Sequence, residues 1–235
     1  MKVCTDACLF GAWSAAMLAN KVNCSARENS LSGKNSLSGK PCILDIGTGT
    51  GLLSLMLAQR LLGRIDAVEL EENAFSQATE NVLNSQWSNR ITVHHGDIMQ
   101  FNSGCHYELV ISNPPFFEKA LKSNHSQKNL AKHESDLDLQ VLFDIVQRFT
   151  TETGWFALLL PAERGPAALQ HAGAAGMHLR YKAMVKQTEK HGYFRAMLIF
   201  SKETGAVQEE DITIRSGNSY SNRFKELLTP YYLSL

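Results

Sequence analysis

Short apolar runs alternate with stretches of helical periodicity along most of the chain from residue 41 onward. The runs predict buried strands because they are short, rich in aliphatic residues and bounded by glycine, proline or polar residues. The predicted strands are 41–46, 64–69, 91–95, 107–112, 155–161, 178–186 and 193–201. The predicted helices between them are 52–62, 71–84, 137–149 and 164–175. This alternation predicts an α/β fold with a mostly parallel seven-stranded sheet, helices on both faces and an antiparallel strand at the sheet edge.

The two ends of the chain depart from this alternation. Residues 1–28 predict a short N-terminal segment followed by an amphipathic helix. The hexapeptide Asn-Ser-Leu-Ser-Gly-Lys then occurs twice in succession over 29–40, a composition typical of a flexible surface loop and too short for a solenoid. We interpret it as a tolerated insertion. Residues 41–235 are predicted to form the main domain, within one structural domain overall, with 202–235 as an irregular tail that adds a short strand around 212–214.

The first predicted strand runs into a loop with glycine at every second position. Gly47, Gly49 and Gly51 give the spacing G-x-G-x-G directly after Asp45, whereas dinucleotide-binding loops use G-x-G-x-x-G. Glycines there allow a tight turn and a close approach of a ligand to the backbone. The spacing favours a loop that holds an amino-acid-bearing nucleoside, and a purely structural strand–helix turn is the alternative.

Acidic residues follow the next two predicted strands. Glu69 ends the second strand, where a carboxylate can accept hydrogen bonds from both ribose hydroxyls. Asp97 follows the third, where it could accept a hydrogen bond from an adenine amino group while Ile98 packs on the ring. A solvated acid and a helix N-cap are the respective alternatives. Because ligands of open α/β sheets bind beyond the carboxyl ends of the strands, one crevice is expected to hold all these side chains.

The fourth predicted strand ends in the tetrapeptide Asn113-Pro114-Pro115-Phe116. Asn113 offers a side-chain carbonyl, the prolines fix their own φ near −65°, and Phe116 offers a flat apolar face for stacking. These are the features that a planar, weakly nucleophilic amino group needs as a methyl acceptor. Ordinary loop punctuation is the alternative explanation of an Asn-Pro-Pro sequence.

Charge and composition narrow the partners. Lys and Arg total 23 and Asp and Glu total 23, so no global field draws the chain to nucleic acid. The five cysteines show no metal-ligand spacing, and no apolar run reaches membrane-spanning length. We therefore expect a cytoplasmic monomer with no metal and no membrane contact. Local positive charge occurs in two stretches, Lys119, Lys122, Lys128 and Lys132 after the tetrapeptide, and Lys182, Lys186, Lys190 and Arg195 on the late strands with only Glu189 opposing.

Three segments carry a resemblance to a known family. They are Thr5-Asp6 leading into Leu9-Phe10-Gly11-Ala12-Trp13, then residues 43–51, and then 113–116 followed by Ala131-Lys132-His133-Glu134 and Leu137-Asp138-Leu139. These segments resemble the bacterial tRNA1(Val) adenine-N6 methyltransferases, a branch of the Rossmann-like class I S-adenosylmethionine-dependent methyltransferases. The resemblance covers most of the chain except the duplication and the last part of the tail.

The resemblance implies a cofactor, a substrate and a set of site residues. It implies S-adenosylmethionine as cofactor, tRNA as partner, and methylation of the N6 amino group of the adenine next to the anticodon, giving N6-methyladenosine. The implied catalytic residues are Asn113, Pro114, Pro115 and Phe116. The implied cofactor-binding residues are Thr5, Asp6, Asp45, Gly47, Thr48, Gly49, Gly51, Glu69, Leu70, Asp97, Ile98 and Asn113. The implied RNA-binding residues are Lys119, Lys122, Lys128, Lys132, His133 and Lys186.

Several other functions remain open at the level of the sequence. The tetrapeptide suits any planar amino group, so guanine N2 of ribosomal RNA and the side-chain amide of a protein glutamine are alternatives. DNA adenine is disfavoured because no separate target-recognition domain is visible. A non-catalytic nucleotide- or RNA-binding module would have no use for Asn113, and a dehydrogenase is disfavoured by the glycine spacing.

Overall fold

The computed structural model describes residues 4–31, 40–114 and 139–233, with side chains of 24–31 excepted. The helices are α1 (Thr5–Leu31), α2 (Leu52–Ala58), α3 (Glu72–Leu83), α4 (139–149), α5 (Gly165–Ala174) and α6 (Asn222–Leu228). The strands are β1 (Cys42–Ile46), β2 (Arg64–Glu69), β3 (Ile91–His95), β4 (Tyr107–Ser112), β5 (Thr150–Pro161), β6 (His178–Thr188), β7 (Tyr193–Ser201), β8 (Gln208–Ser216) and β9 (Ser219–Tyr220). The bounds of β2, β3, β4 and β7 are those that the sequence predicts.

The strands form one mostly parallel sheet in the order β3-β2-β1-β4-β5-β7-β6-β8-β9. The α/β class is confirmed, but the expected count of seven strands is wrong, since the sheet described here has nine. β7 pairs antiparallel with β5 and with β6. It therefore lies inside the sheet rather than at its edge, which β8 and β9 form instead.

The strand β8 confirms the short strand predicted around 212–214 but extends it to Gln208–Ser216, so the tail is more regular than predicted. Residues 208–211, its first half, are all polar and carry no strand signal, whereas the buried apolar residues Ile212 and Ile214 lie in its second half. β8 pairs parallel with β6. The short helix α6 then packs Phe224 and Leu227 into the same core as Ile212.

Two hydrophobic cores cover the two faces of the sheet. Side chains of α1, α2, α3 and α6 pack on one face, and side chains of α4 and α5 pack on the other. Neighbouring residues of a strand point to opposite faces, so Ile43 belongs to the first core and Leu44 to the second. The predicted covering of both faces by helices is confirmed.

The N-terminal helix is longer than predicted. α1 extends through residues 29–31, the start of the first hexapeptide copy, whereas residues 32–39 lie outside the described part of the chain. The indole nitrogen of Trp13 donates to Glu210 at 2.8 Å, and Arg223 pairs with the same carboxylate at 2.8 Å. These contacts tie α1 to β8 and α6. None of the described helices combines the length and the apolar character needed to cross a membrane.

Candidate active site

The carboxyl ends of β1, β2, β3 and β4 lie side by side at one edge of the sheet. Ile46 of β1 is opposite Val68 on one side and Ser112 on the other, and Glu69 is opposite His95. The segments that follow these residues carry the candidate site residues. The topology therefore brings the glycine loop, Glu69, the Asp97 loop and Asn113 to the same edge of the sheet.

The glycine loop depends on backbone conformations that favour glycine. Gly47, Gly49 and Gly51 have φ of 69°, 60° and 80°, and a residue with a Cβ loses roughly 1–2 kcal/mol in this left-handed region. The amides of Gly47 and Thr48 both donate to the carbonyl of Val68, at 2.9 and 3.1 Å. The loop is thereby fixed against the end of β2 with its outer surface free of side chains at every second position.

Asp45 lies beneath this loop and is fully buried. Its Oδ2 accepts hydrogen bonds from the Thr48 hydroxyl at 2.6 Å and from the Ser54 hydroxyl at 2.7 Å. Burial raises the pKa of Asp45 to about 6, although the hydrogen bonds from Thr48 and Ser54 oppose that shift. Within the described residues its Oδ1 is buried without a hydrogen-bond partner. Asp45 therefore clamps the loop onto the start of α2, and Ser54 is a site residue that the sequence did not single out.

Glu69 occupies the tip of β2 and is partly buried. Its Oε2 accepts a hydrogen bond from the amide of Gly49 at 2.8 Å, and its Oε1 accepts one from the amide of Glu71 at 2.9 Å. A carboxylate offers about four lone-pair sites, so two of them are left for a ligand. Leu70, the next residue, is 68% exposed and presents an apolar surface beside this carboxylate.

The loop after β3 places Asp97 and Ile98 at the same edge. The Gly96 amide donates to the carbonyl of Glu69 at 2.9 Å, which holds the loop against the tip of β2. Asp97 Oδ1 accepts a hydrogen bond from the amide of Met99 at 2.9 Å, so this carboxylate also closes its own turn. Ile98 is half-buried and packs against the core on the α4 side.

Asn113 and Pro114 follow β4 and are both half-buried. The hydroxyl of Ser112 donates to the carbonyl of Ile46 at 2.9 Å, so the exit of β4 is tied to the exit of β1. Ser112 is thus a second positioning residue that sequence reasoning missed, because its partner is distant in the chain. Pro115, Phe116, Lys119, Lys122, Lys128, Lys132 and His133 lie outside the described residues.

The second predicted basic stretch is paired with more acids than the sequence indicated. Lys182 pairs with Glu209 at 3.0 Å, Lys186 pairs with Glu189 at 3.3 Å, and Arg195 pairs with Asp6 at 2.8 Å. The expectation that Glu189 alone opposes these cations is wrong, since Glu209 and Asp6 come from other elements. Thr5, the first residue of α1, is exposed. No cluster of three or more metal-binding side chains occurs among the described residues.

Similar solved structures identify the class of fold. A predicted O-methyltransferase from Agrobacterium tumefaciens superposes with a TM-score of 0.61 at 14% identity, over 80% of this chain and 88% of that one. TrmN from Thermus thermophilus superposes with a TM-score of 0.54 at 22% identity, over 76% of this chain and 48% of that one. The sheet, with the glycine loop and Asn113 at its carboxyl edge, has the Rossmann-like fold of the class I methyltransferases.

Comparisons of sequence narrow this class to one family. The family model for the methyltransferase small domain matches residues 33–141. Two curated relatives, from Dyadobacter fermentans and Klebsiella pneumoniae strain 342, are each 38% identical over 99% of this chain, and the matches span 91% and 89% of their own lengths. Both relatives are named tRNA1(Val) (adenine(37)-N6)-methyltransferase. The chain belongs to the tRNA1(Val) (adenine(37)-N6)-methyltransferase family.

Proposed function

We propose that this protein transfers a methyl group from S-adenosylmethionine to the N6 amino group of an adenine in tRNA, next to the anticodon of tRNA1(Val). The observation that carries the proposal is the placement of Asn113 and Pro114 at the exit of β4, tied by Ser112 to the exit of β1. The names of the relatives support adenine at position 37 as the acceptor. The monomeric state, the cytoplasmic location and the division into domains remain predictions from the sequence.

The residues at the crevice fit S-adenosylmethionine. Three glycines with positive φ leave the loop open to close backbone approach, and Glu69 keeps lone pairs for the ribose hydroxyls. We assign the adenine amino group to Asp97, with the apolar surfaces of Leu70 and Ile98 available to the ring. Asp45 Oδ2 accepts hydrogen bonds from Thr48 and Ser54, so we propose that this oxygen contributes to cofactor binding indirectly, by holding the glycine loop.

The bound cofactor supplies an electrophilic methyl group, so the protein has to orient the acceptor nitrogen. The side-chain oxygen of Asn113 and the carbonyl oxygen of Pro114 can each accept one hydrogen of the amino group. This directs the nitrogen lone pair out of the ring plane, and the charge that develops on nitrogen meets two fixed dipoles. Fixed orientation of this kind can contribute about 7–11 kcal/mol to lowering a barrier. Phe116 is proposed to stack on the base after it leaves its own RNA stack.

Contact with RNA is proposed for the cations near the acceptor side. Lys119, Lys122, Lys128, Lys132 and His133 remain predictions from the sequence. Lys186 is partly buried and paired with Glu189, so its contact with a phosphate would compete with that carboxylate. Because the formal net charge is zero, we expect affinity to depend on the shape of the RNA as well as on charge.

The proposal is tested by identifying the methylated product. The protein is incubated with labelled S-adenosylmethionine in three separate reactions, which contain total tRNA, rRNA or a protein fraction. The products are digested to nucleosides or amino acids. Label in N6-methyladenosine from tRNA is the expected result. Label confined to N2-methylguanosine from rRNA, or to glutamine, would replace the proposed acceptor with one of the alternatives.

Glu69→Gln is expected to raise the Kd for S-adenosylmethionine about 10–100-fold, since one charge-assisted hydrogen bond contributes about 1.5–3 kcal/mol. The side-chain NH2 of the introduced glutamine would also face one of the two backbone N–H groups, those of Gly49 and Glu71, that now donate hydrogen bonds to Glu69. Calorimetric titration measures the change. Glu72→Gln, an exposed acid in the first turn of α3, is the matched control and should leave the Kd unchanged.

A further inference from the structure

An ion pair joins the start of α1 to the start of β7. Arg195 Nε lies 2.8 Å from Asp6 Oδ2, although the two residues are 189 positions apart in the chain. The side chains are only 29% and 17% exposed, which places the pair among partly buried contacts rather than on the open surface. The other carboxylate oxygen of Asp6 accepts the amide of Ala7 at 3.1 Å. Both oxygens of Asp6 are therefore engaged within the protein.

The strand register places this pair near the edge of the sheet that carries the candidate site. Ser112 is opposite Leu158 of β5, Leu158 is opposite Leu198 of β7, and Arg195 is opposite Pro161. Arg195 thus lies three residues beyond the level of Ser112, in the direction of Asn113. Three residues correspond to about 10 Å along a strand, and two strand spacings correspond to about 10 Å across the sheet. The pair therefore lies at the carboxyl end of β5, two strands away from the strand that leads to Asn113.

The same part of α1 also contacts the cofactor side. α1 packs on α2, which begins directly after the glycine loop. The packing is close at Gly11, where a Cβ would lie 2.9 Å from the sulfur of Met56 and 3.2 Å from a methyl of Leu53. The first turns of α1 therefore connect the glycine-loop side of the crevice with its acceptor side.

We propose that Arg195 is a positioning residue that, through Asp6, fixes the first turn of α1 as a wall of the crevice. This inference rests on the proposed function and assigns to Arg195 a role other than the RNA contact that its charge suggested. It also makes the predicted contribution of Asp6 to cofactor binding an indirect one. Without the pair, the first turn of α1 can leave the rim, and the bound cofactor loses one side of its enclosure.

A double-mutant cycle tests the pair as a unit. Asp6→Asn, Arg195→Met and the double variant are compared with the wild-type protein by calorimetric titration of S-adenosylmethionine, by methylation kinetics and by Tm. Each single variant is expected to raise the Kd and the KM for the cofactor about fivefold with a smaller change in kcat, and the double variant no more than the worse single. A merely structural contact would lower Tm and leave the Kd unchanged.

Lys202→Met is the matched control. Lys202, which directly follows β7, pairs with Glu152 of β5 at 3.1 Å, at the opposite end of these two strands from Arg195. This control should lower Tm without changing the Kd. The inference would be overturned if the single variants kept a Kd within twofold of the wild-type value. It would also be overturned if the two effects on the Kd multiplied in the double variant, or if Lys202→Met raised the Kd equally. Should Arg195→Met not fold, Arg195→Lys, which keeps the charge but removes the Nε donor, takes its place in the cycle. A wild-type protein that does not bind S-adenosylmethionine would overturn the proposed function and this inference with it.

Discussion

Replacing Asn113 by alanine is expected to lower kcat by about 10²–10³-fold, the usual effect of removing one preorganised polar group from a transition state. The half-buried side chain stands at the exit of β4, where Ser112 anchors the backbone to β1. Its amide oxygen would accept one hydrogen of the acceptor amino group, and alanine offers no replacement. The Kd for S-adenosylmethionine should stay within about threefold, because the glycine loop, Glu69 and Asp97 are untouched.

Single-turnover methylation of tRNA measures the chemical step, and calorimetry measures cofactor binding. Asn89→Ala is a suitable control, since Asn89 is an exposed asparagine just before β3 at the opposite end of the sheet. An unchanged turnover in Asn113→Ala would remove the basis of the proposed mechanism. A Kd that rose in parallel with the loss of turnover would instead give Asn113 a role in cofactor binding alone.

The sequence predicts the first half of the fold well because its strands are short runs with clear ends. β2, β3 and β4 are short runs that end at an acid, a glycine or an asparagine, and their predicted and observed bounds agree. β8 has no such pattern. Its polar residues pair with cations and aromatic groups of other elements, as Glu209 does with Lys182 and Asp211 does with Tyr193. Tertiary contacts therefore decide its conformation.

The site, like the fold, has residues that the sequence pattern predicts and residues that only tertiary contacts reveal. Asp45, Glu69 and Asn113 can be placed from the sequence because each stands at the end of a predicted parallel strand, and parallel strands share one carboxyl edge. The residues that hold these side chains in position cannot be placed from the sequence. Ser54 is one polar residue within an apolar helix, and Ser112 donates to the carbonyl of a strand far along the chain. The partner of Arg195 in the predicted basic stretch could not be placed either, because Asp6 is 189 positions away in the chain.

Asp45→Asn is expected to change the pH dependence of stability. The pKa of Asp45 is raised by burial from 3.8 to about 6 in the folded protein. Burial favours the neutral carboxyl, so the contribution of Asp45 to stability is fully present below pH 3.8 and is lost as the pH rises through 6. A pKa that differs in this way between the unfolded and the folded protein corresponds to about 3 kcal/mol. Asparagine does not titrate, so the free energy of unfolding of the variant, minus that of the wild type, should rise by about 2 kcal/mol between pH 4 and 7.

Urea unfolding at pH 4, 5, 6 and 7 measures this difference, in which contributions from groups common to both proteins cancel. Ser54→Ala supplies a control of opposite sign. It removes a hydroxyl that donates to the ionised carboxylate at 2.7 Å, so the pKa of Asp45 should rise further and the variant should lose stability against the wild type as the pH increases. A flat difference for Asp45→Asn would mean that the buried carboxyl carries no cost of ionisation. The expected pH dependence in both variants would instead mean that ionised Asp45, which holds the glycine loop, lowers the stability of the protein near neutral pH.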